Sequence, residues 1–311
     1  MSLVNQDISA TDDEEIDLRE LFRVIWSGKI TIIVITAVFA ISSVFYALSI
    51  PNQYKATALL APAQSDGGGL SSDLGRLGGL ASLAGVSMGG GVSSESDMAQ
   101  EIMKSWSFIE SFIADNDLAV EVYAAEGWNQ GSNELVLSEE SYDLKNSQWL
   151  IEDDSGVVGP PSSWQLFKAF EGKVTVSEDN ESSLVSVSVE YYSPHIAKKW
   201  LDLYISAINK HMQARQVAKV SNNIEYIEAQ IAKTTIAEMQ EVFYTIIEEQ
   251  IKSKMLAEAS PDYAFVTVSP SMVPQEKSQP RRSVICIIGT MIGGMLSLFL
   301  VLVTHYIKKL I

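Results

Sequence analysis

The sequence predicts an α+β exported domain with a long extended helix, flanked by two transmembrane helices. Three observations lead to this fold class: an uncharged apolar segment near each end, an alternating strand pattern, and about 64 residues without Pro or Gly. The chain has 311 residues, a net charge of −17 and 47% hydrophobic residues. This composition excludes a disordered acidic chain.

The two apolar segments cover residues 30–50 and 283–307. Each is long enough to cross a hydrocarbon core of about 30 Å at about 1.5 Å per residue. A buried helix of a soluble protein rarely stays apolar on all sides for this length. A cleaved signal peptide is disfavoured because the 29-residue leader is rich in acids, where a signal has a short basic region. We therefore predict two membrane spans, the first an uncleaved anchor.

Three cations, Arg19, Arg23 and Lys29, precede the first span and favour a cytoplasmic N-terminal tail. Residues 1–29 and 308–311 are then cytoplasmic tails, and residues 51–282 form a domain with a net charge of −15 that faces the outside or the periplasm. This acidic balance argues against nucleic acid as a partner, since phosphate binding needs clustered Lys and Arg.

The exported domain begins with a predicted strand at 54–60 and contains a predicted hairpin at 173–177 and 183–191. A helix is expected from about Ser94, with one apolar face formed by Met98, Ile102, Trp106, Ile109 and Ile113. The glycine-rich segment 65–94 has no phosphate-loop lysine and is expected to be a loop with a small apolar patch. The order of elements in 118–168 is not predicted.

A continuous helix is predicted over about 194–258, with a length of roughly 95 Å. Its first part carries an apolar face suited to a sheet: Ile196, Trp200, Leu203, Tyr204, Ile208 and Met212. A coiled-coil seam follows, formed by Val217, Val220, Ile224, Ile227 and Ile231. The next stripe drifts around the axis through Thr235, Met239, Phe243, Ile247, Ile251 and Met255. This pattern fits either contacts within a ring of identical subunits or an intramolecular helical hairpin.

A strand at 263–268 is expected to lead back towards the second span. Pro270, Pro274 and Pro280 predict a stiff, extended approach to that span. Within the span, Gly289 and Gly293, with Gly294 beside them, are candidates for close packing of another membrane helix.

No catalytic, cofactor-binding or metal-binding constellation is found in the sequence. His195 and His211 lack an obvious Cys, Ser or Asp partner, and Cys286 is the single cysteine. No signature of a hydrolase, zinc protease or kinase is present. We therefore expect no enzyme activity and no cofactor.

The order of several short segments resembles the bacterial chain-length determinant (Wzz) family of polysaccharide co-polymerases. The segments that carry the resemblance are Ile16-Asp17-Leu18-Arg19-Glu20-Leu21, Pro51, Tyr54-Lys55-Ala56, Ser193-Pro194-His195-Ile196-Ala197, Tyr263-Ala264-Phe265, the three spaced prolines with Arg281-Arg282, and the glycine-bearing last span.

The resemblance implies a two-pass protein of the bacterial inner membrane with both termini in the cytoplasm. It implies a periplasmic α/β base domain with a long helix, and assembly into a homo-oligomer. The implied function is to set the length of O-antigen or a related polysaccharide, without catalysis, with a Wzy-type polymerase and lipid-linked polysaccharide as partners. The family's kinase-bearing branch is not indicated, because no Walker motif is present.

Two other classes of protein fit two spans around an exported domain. One is a two-span membrane sensor, and the other is an adaptor subunit of an envelope export system. A sensor is disfavoured by the four-residue tail after the second span.

Overall fold

The computed structural model describes residues 24–63, 91–152, 156–179 and 181–310, without the side chains of 91–94 and 308–310. The predicted apolar patch at Leu74, Leu77, Leu80 and Leu83 lies outside the described residues. The chain divides into two compact units, one made of Met1–Ile50 with Pro280–Ile311 and the other of Pro51–Gln279.

The described helices are α1 (Lys29–Ser49), α2 (Gly91–Lys104), α3 (Trp106–Asp115), α4 (Ala119–Tyr123), α5 (Ser163–Glu171), α6 (Pro194–Ile231), α7 (Ala237–Ala259) and α8 (Arg282–Leu310). The described strands are β1 (Tyr54–Pro62), β2 (Ala125–Asn129), β3 (Glu134–Leu137), β4 (Tyr142–Asp143), β5 (Gln148–Trp149), β6 (Ile151–Glu152), β7 (Val158–Gly159), β8 (Val174–Asp179), β9 (Leu184–Tyr191) and β10 (Phe265–Ser269). The predicted α+β class is confirmed.

Helices α1 and α8 make up the described part of the first unit and pack against each other in antiparallel fashion. Both are long and apolar enough to cross a membrane. In the most apolar 18-residue stretch of each helix, only 6% of α1 and 17% of α8 is buried. The core helix of a soluble protein would be mostly buried, so these exposed apolar surfaces fit contact with lipid.

The second unit is built on a four-stranded antiparallel sheet with the strand order β10-β1-β9-β8. The hairpin predicted at 173–177 and 183–191 is confirmed as β8 and β9, and the predicted strand at 54–60 as β1. Alternate residues of neighbouring strands meet on the core face, where Ala56, Ala58 and Leu60 pair with Val189, Val187 and Val185.

Helix α6 covers this face of the sheet. Its Trp200, Tyr204 and Ile208 are fully buried, as the predicted sheet-packing face requires. Helices α2, α3 and α5 complete the core through Met103, Phe112 and Phe170, among others. The segment 118–168 forms α4, three two-stranded ladders and α5.

The prediction of one continuous helix over 194–258 is wrong. Helix α6 ends at Ile231 and α7 begins at Ala237, and the two pack together as an antiparallel hairpin. The break falls at Thr234, Thr235 and Ile236, whose β-branched side chains lower helix propensity. The carbonyl of Thr234 accepts a hydrogen bond from Gln240 Nε2 at 2.7 Å instead of one from the next helical turn.

The predicted apolar face of α2 and α3 is wrong at two positions, Met98 and Trp106, and the predicted drifting stripe is only partly buried within one chain. Ser105 separates α2 from α3 and accepts a hydrogen bond from the Phe108 amide, so the helix changes phase there. Met98 and Trp106 are consequently exposed, and Ala99 and Met103 are buried instead. On α7, Phe243 and Ile247 are half-buried, whereas the other members of the predicted stripe are exposed: Thr235, Met239, Ile251 and Met255.

Candidate functional site

The α1–α8 seam is the contact surface between the two apolar helices. A Cβ atom added at Gly289 would lie 2.5 Å from the Cβ of Ser43, and one added at Gly293 would lie 2.5 Å from the Cβ of Phe39. Real Cβ contacts are longer than this, so both positions require glycine at the present helix separation. The structure thus brings two of the three candidate glycines into one seam.

The third candidate, Gly294, is not part of the seam. A Cβ atom added there would meet nothing within 4 Å. Gly28 was missed by the sequence reasoning, although a Cβ atom at this position would lie 2.5 Å from Val301 Cγ1. It precedes the first span by a single residue and has no small-residue repeat around it, so the sequence carries no pattern that marks it.

Hydroxyl groups also line the α1–α8 seam. Thr36 Oγ1 and Ser297 Oγ are 3.5 Å apart, and Ser297 is fully buried. Ser297 donates to the carbonyl of Gly294 at 2.7 Å, and Ser43 donates to the carbonyl of Ala40 at 2.8 Å. Small and hydroxyl-bearing residues allow close approach of helices in lipid, where apolar burial does not drive association. The seam therefore has the chemistry of a membrane helix pair.

The proline-paced segment after β10 is held against the second unit by side-chain hydrogen bonds. Ser271 is buried and donates to Asp202 on α6, whose other oxygen accepts from Lys198 Nζ at 2.6 Å. Further along, Gln53 and Gln279 form a β-bridge, and Ser278 Oγ donates to the Gln53 carbonyl at 3.1 Å. Residues 271–279 thus form an extended segment that is held at both ends by hydrogen bonds to Asp202 and Gln53.

The three candidate prolines differ in burial along this approach. Pro270 is exposed, whereas Pro274 and Pro280 are half-buried. Between β10 and α8, the described residues form neither a helix nor a strand, apart from the bridge at Gln279. The extended conformation fits the fixed φ of proline and its lack of an N–H group.

The core of the second unit contains tyrosines whose hydroxyls are buried. Tyr191 donates to the Glu121 carbonyl and Tyr204 to the Met103 carbonyl. Burial raises the pKa of both phenols, and for Tyr191 the nearby Glu121 charge adds to the effect. Both hydroxyls stay neutral and act as hydrogen-bond donors. Their role is to tie α6 and β9 to the surrounding helices.

Within the described ranges, no group of three or more His, Cys, Asp or Glu side chains could hold a metal ion. His195 and His211 lie exposed on α6, and the ring of His211 packs on Phe108 at 5.5 Å. The candidate sites are therefore a helix-packing seam and an extended segment held by hydrogen bonds.

A family model described as chain length determinant protein (Wzz) matches residues 14–116. The resemblance to the chain-length determinant family is confirmed. The matched segment holds the first apolar helix, the central strand β1 and the helices α2 and α3. No curated protein matches the chain.

Several solved structures are similar to this chain at low identity. A full-length bacterial polysaccharide co-polymerase is 14% identical, with 94% of this chain and 99% of that chain covered and a TM-score of 0.38. A fragment of WzzB, a polysaccharide co-polymerase from Salmonella Typhimurium, is 13% identical, with 73% and 100% covered and a TM-score of 0.29. A variant of the Shigella flexneri lipopolysaccharide O-antigen chain-length regulator is 11% identical, with the same coverage and a TM-score of 0.21.

Proposed function

We propose that this protein regulates the length of a surface polysaccharide, either the O-antigen of lipopolysaccharide or a related polymer. The observation that carries the proposal is the chain-length determinant match over residues 14–116. The architecture supports it, because an α+β unit lies in the chain between two apolar helices, each long enough to cross a bilayer. Regulation in this scheme is non-catalytic.

The proposed location is the bacterial inner membrane, with residues 51–282 in the periplasm and both termini in the cytoplasm. The cations Arg19, Arg23 and Lys29 before the first span support this orientation. The proposed partners are a Wzy-type polymerase and its lipid-linked polysaccharide. A periplasmic domain joined to two membrane spans would hold the polymerase near its growing product.

The proposed working form is a homo-oligomer, and the helical hairpin supplies a surface for it. Large apolar side chains of the hairpin are 44–66% exposed: Tyr226, Ile236, Met239, Val242, Tyr244, Ile251, Met255 and Leu256. A concentration of large exposed apolar side chains is typical of an interaction surface. Contact between hairpins of neighbouring subunits would cover these side chains. An intramolecular hairpin and assembly into a ring of subunits are therefore compatible.

Deletion of the gene tests the function directly. Gel separation of the lipopolysaccharide should show loss of the modal band cluster in the deletion strain, and a plasmid copy should restore it. An unchanged ladder would contradict chain-length regulation. An altered efflux of another envelope substrate, with the ladder intact, would instead support the adaptor class.

A further inference from the structure

Two exposed tryptophans form an aromatic corner on the second unit. The corner consists of Trp106 and Trp164, which are 46% and 51% exposed, whereas Trp128, Trp149 and Trp200 in the same unit are half-buried or buried. The ring centroids of Trp106 and Trp164 are 5.6 Å apart, and the ring planes meet at 81°. Tryptophan is usually well buried, so two half-exposed indoles at a right angle call for a reason.

The aromatic corner is rigid. Trp106 is the first residue of α3, and its Nε1 donates to Ser163 Oγ at 2.7 Å. Trp164 lies in the first turn of α5, which is held by a capping box between Ser162 and Gln165. The buried ring of Phe167 supports Trp164 from behind, at 5.2 Å between centroids. Binding at this corner would therefore order few side chains, which favours affinity.

Polar groups surround the two rings. Lys168 Nζ lies over the Trp164 ring, 5.0 Å from its centroid, and forms an ion pair with Glu171 at 2.9 Å. Gln165 and Ser107 are exposed on either side of the corner. The corner thus combines aromatic rings, nearby hydrogen-bonding groups and a locally balanced charge, inside a segment of net charge −15.

The size of the aromatic corner selects among ligand classes. Two half-exposed indoles offer about 200 Å² of apolar surface. A stable protein interface needs about 800 Å² from each partner, so the corner is too small to hold a protein by itself. The acidic charge of residues 51–282 opposes contact with anionic lipid. A ligand the size of one or two sugar rings fits the surface.

We propose that the aromatic corner binds the polysaccharide by stacking on the C–H face of a pyranose ring. The partially positive C–H hydrogens of a sugar face complement the negative face of an indole ring. The hydroxyls of the sugar then form hydrogen bonds with the side chains of Gln165 and Lys168. The identity of the ligand rests on the proposed function, while the geometry of the corner does not.

Binding measurements on the full chain test this proposal. The protein is placed in zwitterionic phosphatidylcholine nanodiscs and titrated with polysaccharide released by mild acid from the lipopolysaccharide of its own strain. We expect the double variant Trp106→Leu/Trp164→Leu to bind at least about tenfold more weakly, because it keeps apolar bulk but loses both aromatic faces. The variant Trp106→Phe/Trp164→Phe should stay within about threefold of the wild type. The control Leu144→Ala, which truncates a 64% exposed apolar side chain of the same unit, should also stay within about threefold.

A second readout does not depend on any variant folding. Saturation of the indole resonances of the wild-type protein should transfer to sugar C–H protons in a nuclear magnetic resonance difference spectrum. Absence of transfer, or unchanged affinity of a folded leucine variant, would overturn the proposal. Loss of binding to anionic vesicles in the leucine variant, with no polysaccharide binding by the wild type, would assign the corner to a lipid surface and overturn it too.

Failure of polysaccharide binding at the aromatic corner can be distinguished from failure of the chain-length function. If gene deletion alters the lipopolysaccharide ladder but the wild-type protein binds no polysaccharide, the aromatic corner alone is wrong. If the corner binds polysaccharide but deletion leaves the ladder unchanged, the chain-length function is wrong and the binding site stands.

Discussion

Asn209 joins the long helix α6 to the strand β10 through three hydrogen bonds. Its Oδ1 accepts from the amides of Ala264 and Phe265 at 2.9 and 2.8 Å, and its Nδ2 donates to the Phe265 carbonyl at 2.9 Å. The side chain is 2% exposed, so water does not replace these partners. One amide group therefore satisfies the backbone at the start of an edge strand.

We predict that Asn209→Leu lowers the free energy of unfolding by about 3 kcal/mol, because backbone groups of β10 would be buried without partners. The measurement is chemical unfolding of the full chain in detergent. Asn223→Leu is the matched control, since Asn223 is exposed on the same helix and should change stability by less than about 0.5 kcal/mol. Equal effects of the two substitutions would contradict the assigned role.

Gly293 and Gly294 are neighbours in the sequence with opposite surroundings. Gly293 faces Phe39 across the α1–α8 seam, and Gly294 faces open space. We predict that Gly293→Leu forces the two helices apart and costs about 1–3 kcal/mol of stability in detergent. Gly294→Leu should be tolerated.

The thermal unfolding midpoint of each glycine variant, with the lipopolysaccharide ladder in complemented cells, measures this difference. If Gly294→Leu is as disruptive as Gly293→Leu, the α1–α8 seam is misassigned. The sequence pattern grouped Gly289, Gly293 and Gly294. The contact between the helices distinguishes Gly289 and Gly293, which face α1, from Gly294, which does not. A glycine spacing predicts which helix carries the contact, but the facing residues Phe39 and Ser43 decide which glycines are needed.

The helical hairpin is the element in which sequence and structure differ most. Helix α7 returns along α6, and Gln213 Nε2 donates to the carbonyls of Ala257 and Ser260 at 2.9 and 3.1 Å. Ala257 lies in the last turn of α7, where its carbonyl also accepts from the Ser260 amide, and Ser260 directly follows the helix. Gln213 therefore fixes the register of the two helices at the open end of the hairpin.

We predict a short distance between spin labels at Arg215 on α6 and Glu258 on α7, both exposed positions. In a continuous helix these residues would be about 65 Å apart. In the hairpin, helix packing and the label arms place the labels within about 25 Å. The measurement is pulsed electron resonance in a Cys286→Ser background, diluted with unlabelled chain so that only intrachain pairs contribute. A distance peak near the longer value would refute the hairpin.

Much of the second unit could be predicted because its signals are local. The alternation of Val185, Val187 and Val189 with serines marks β9, and the apolar face at Trp200 and Tyr204 marks the part of α6 that covers the sheet. The break between α6 and α7 lacks Gly and Pro, so it escaped the usual helix-stop signals. The signal present was the β-branched run of Thr234, Thr235 and Ile236.

The candidate sites were predictable only in part, for a related reason. The spacing of Gly289 and Gly293 is a sequence feature, but Gly28 enters the α1–α8 seam through a long-range contact with Val301. The aromatic corner likewise joins residues 58 positions apart in the sequence. Its hydrogen bond from the Trp106 indole on α3 to Ser163 on α5 connects two separate helices. The predicted apolar face of α2 and α3 had placed Trp106 in the core, since the phase change at Ser105 depends on a cap.

At the scale of the whole molecule, the charge and the hydrophobicity of the chain are segregated. The net charge of −17 comes mostly from residues 51–282, and the longest uncharged apolar segments lie in α1 and α8. A high like charge on the exported unit opposes bulk adsorption to anionic membranes or glycans. Binding then depends on particular neutral surfaces, such as the exposed apolar side chains of the hairpin and the aromatic corner.

The distribution of polysaccharide lengths tests the central claim most directly. It is measured as repeat units per chain in the parent strain, in the gene-deletion strain and in that strain with the intact gene restored. Chain-length regulation predicts a modal distribution in the parent, its loss in the deletion strain and its return at the same length on restoration. The same distribution in all three strains would contradict the account.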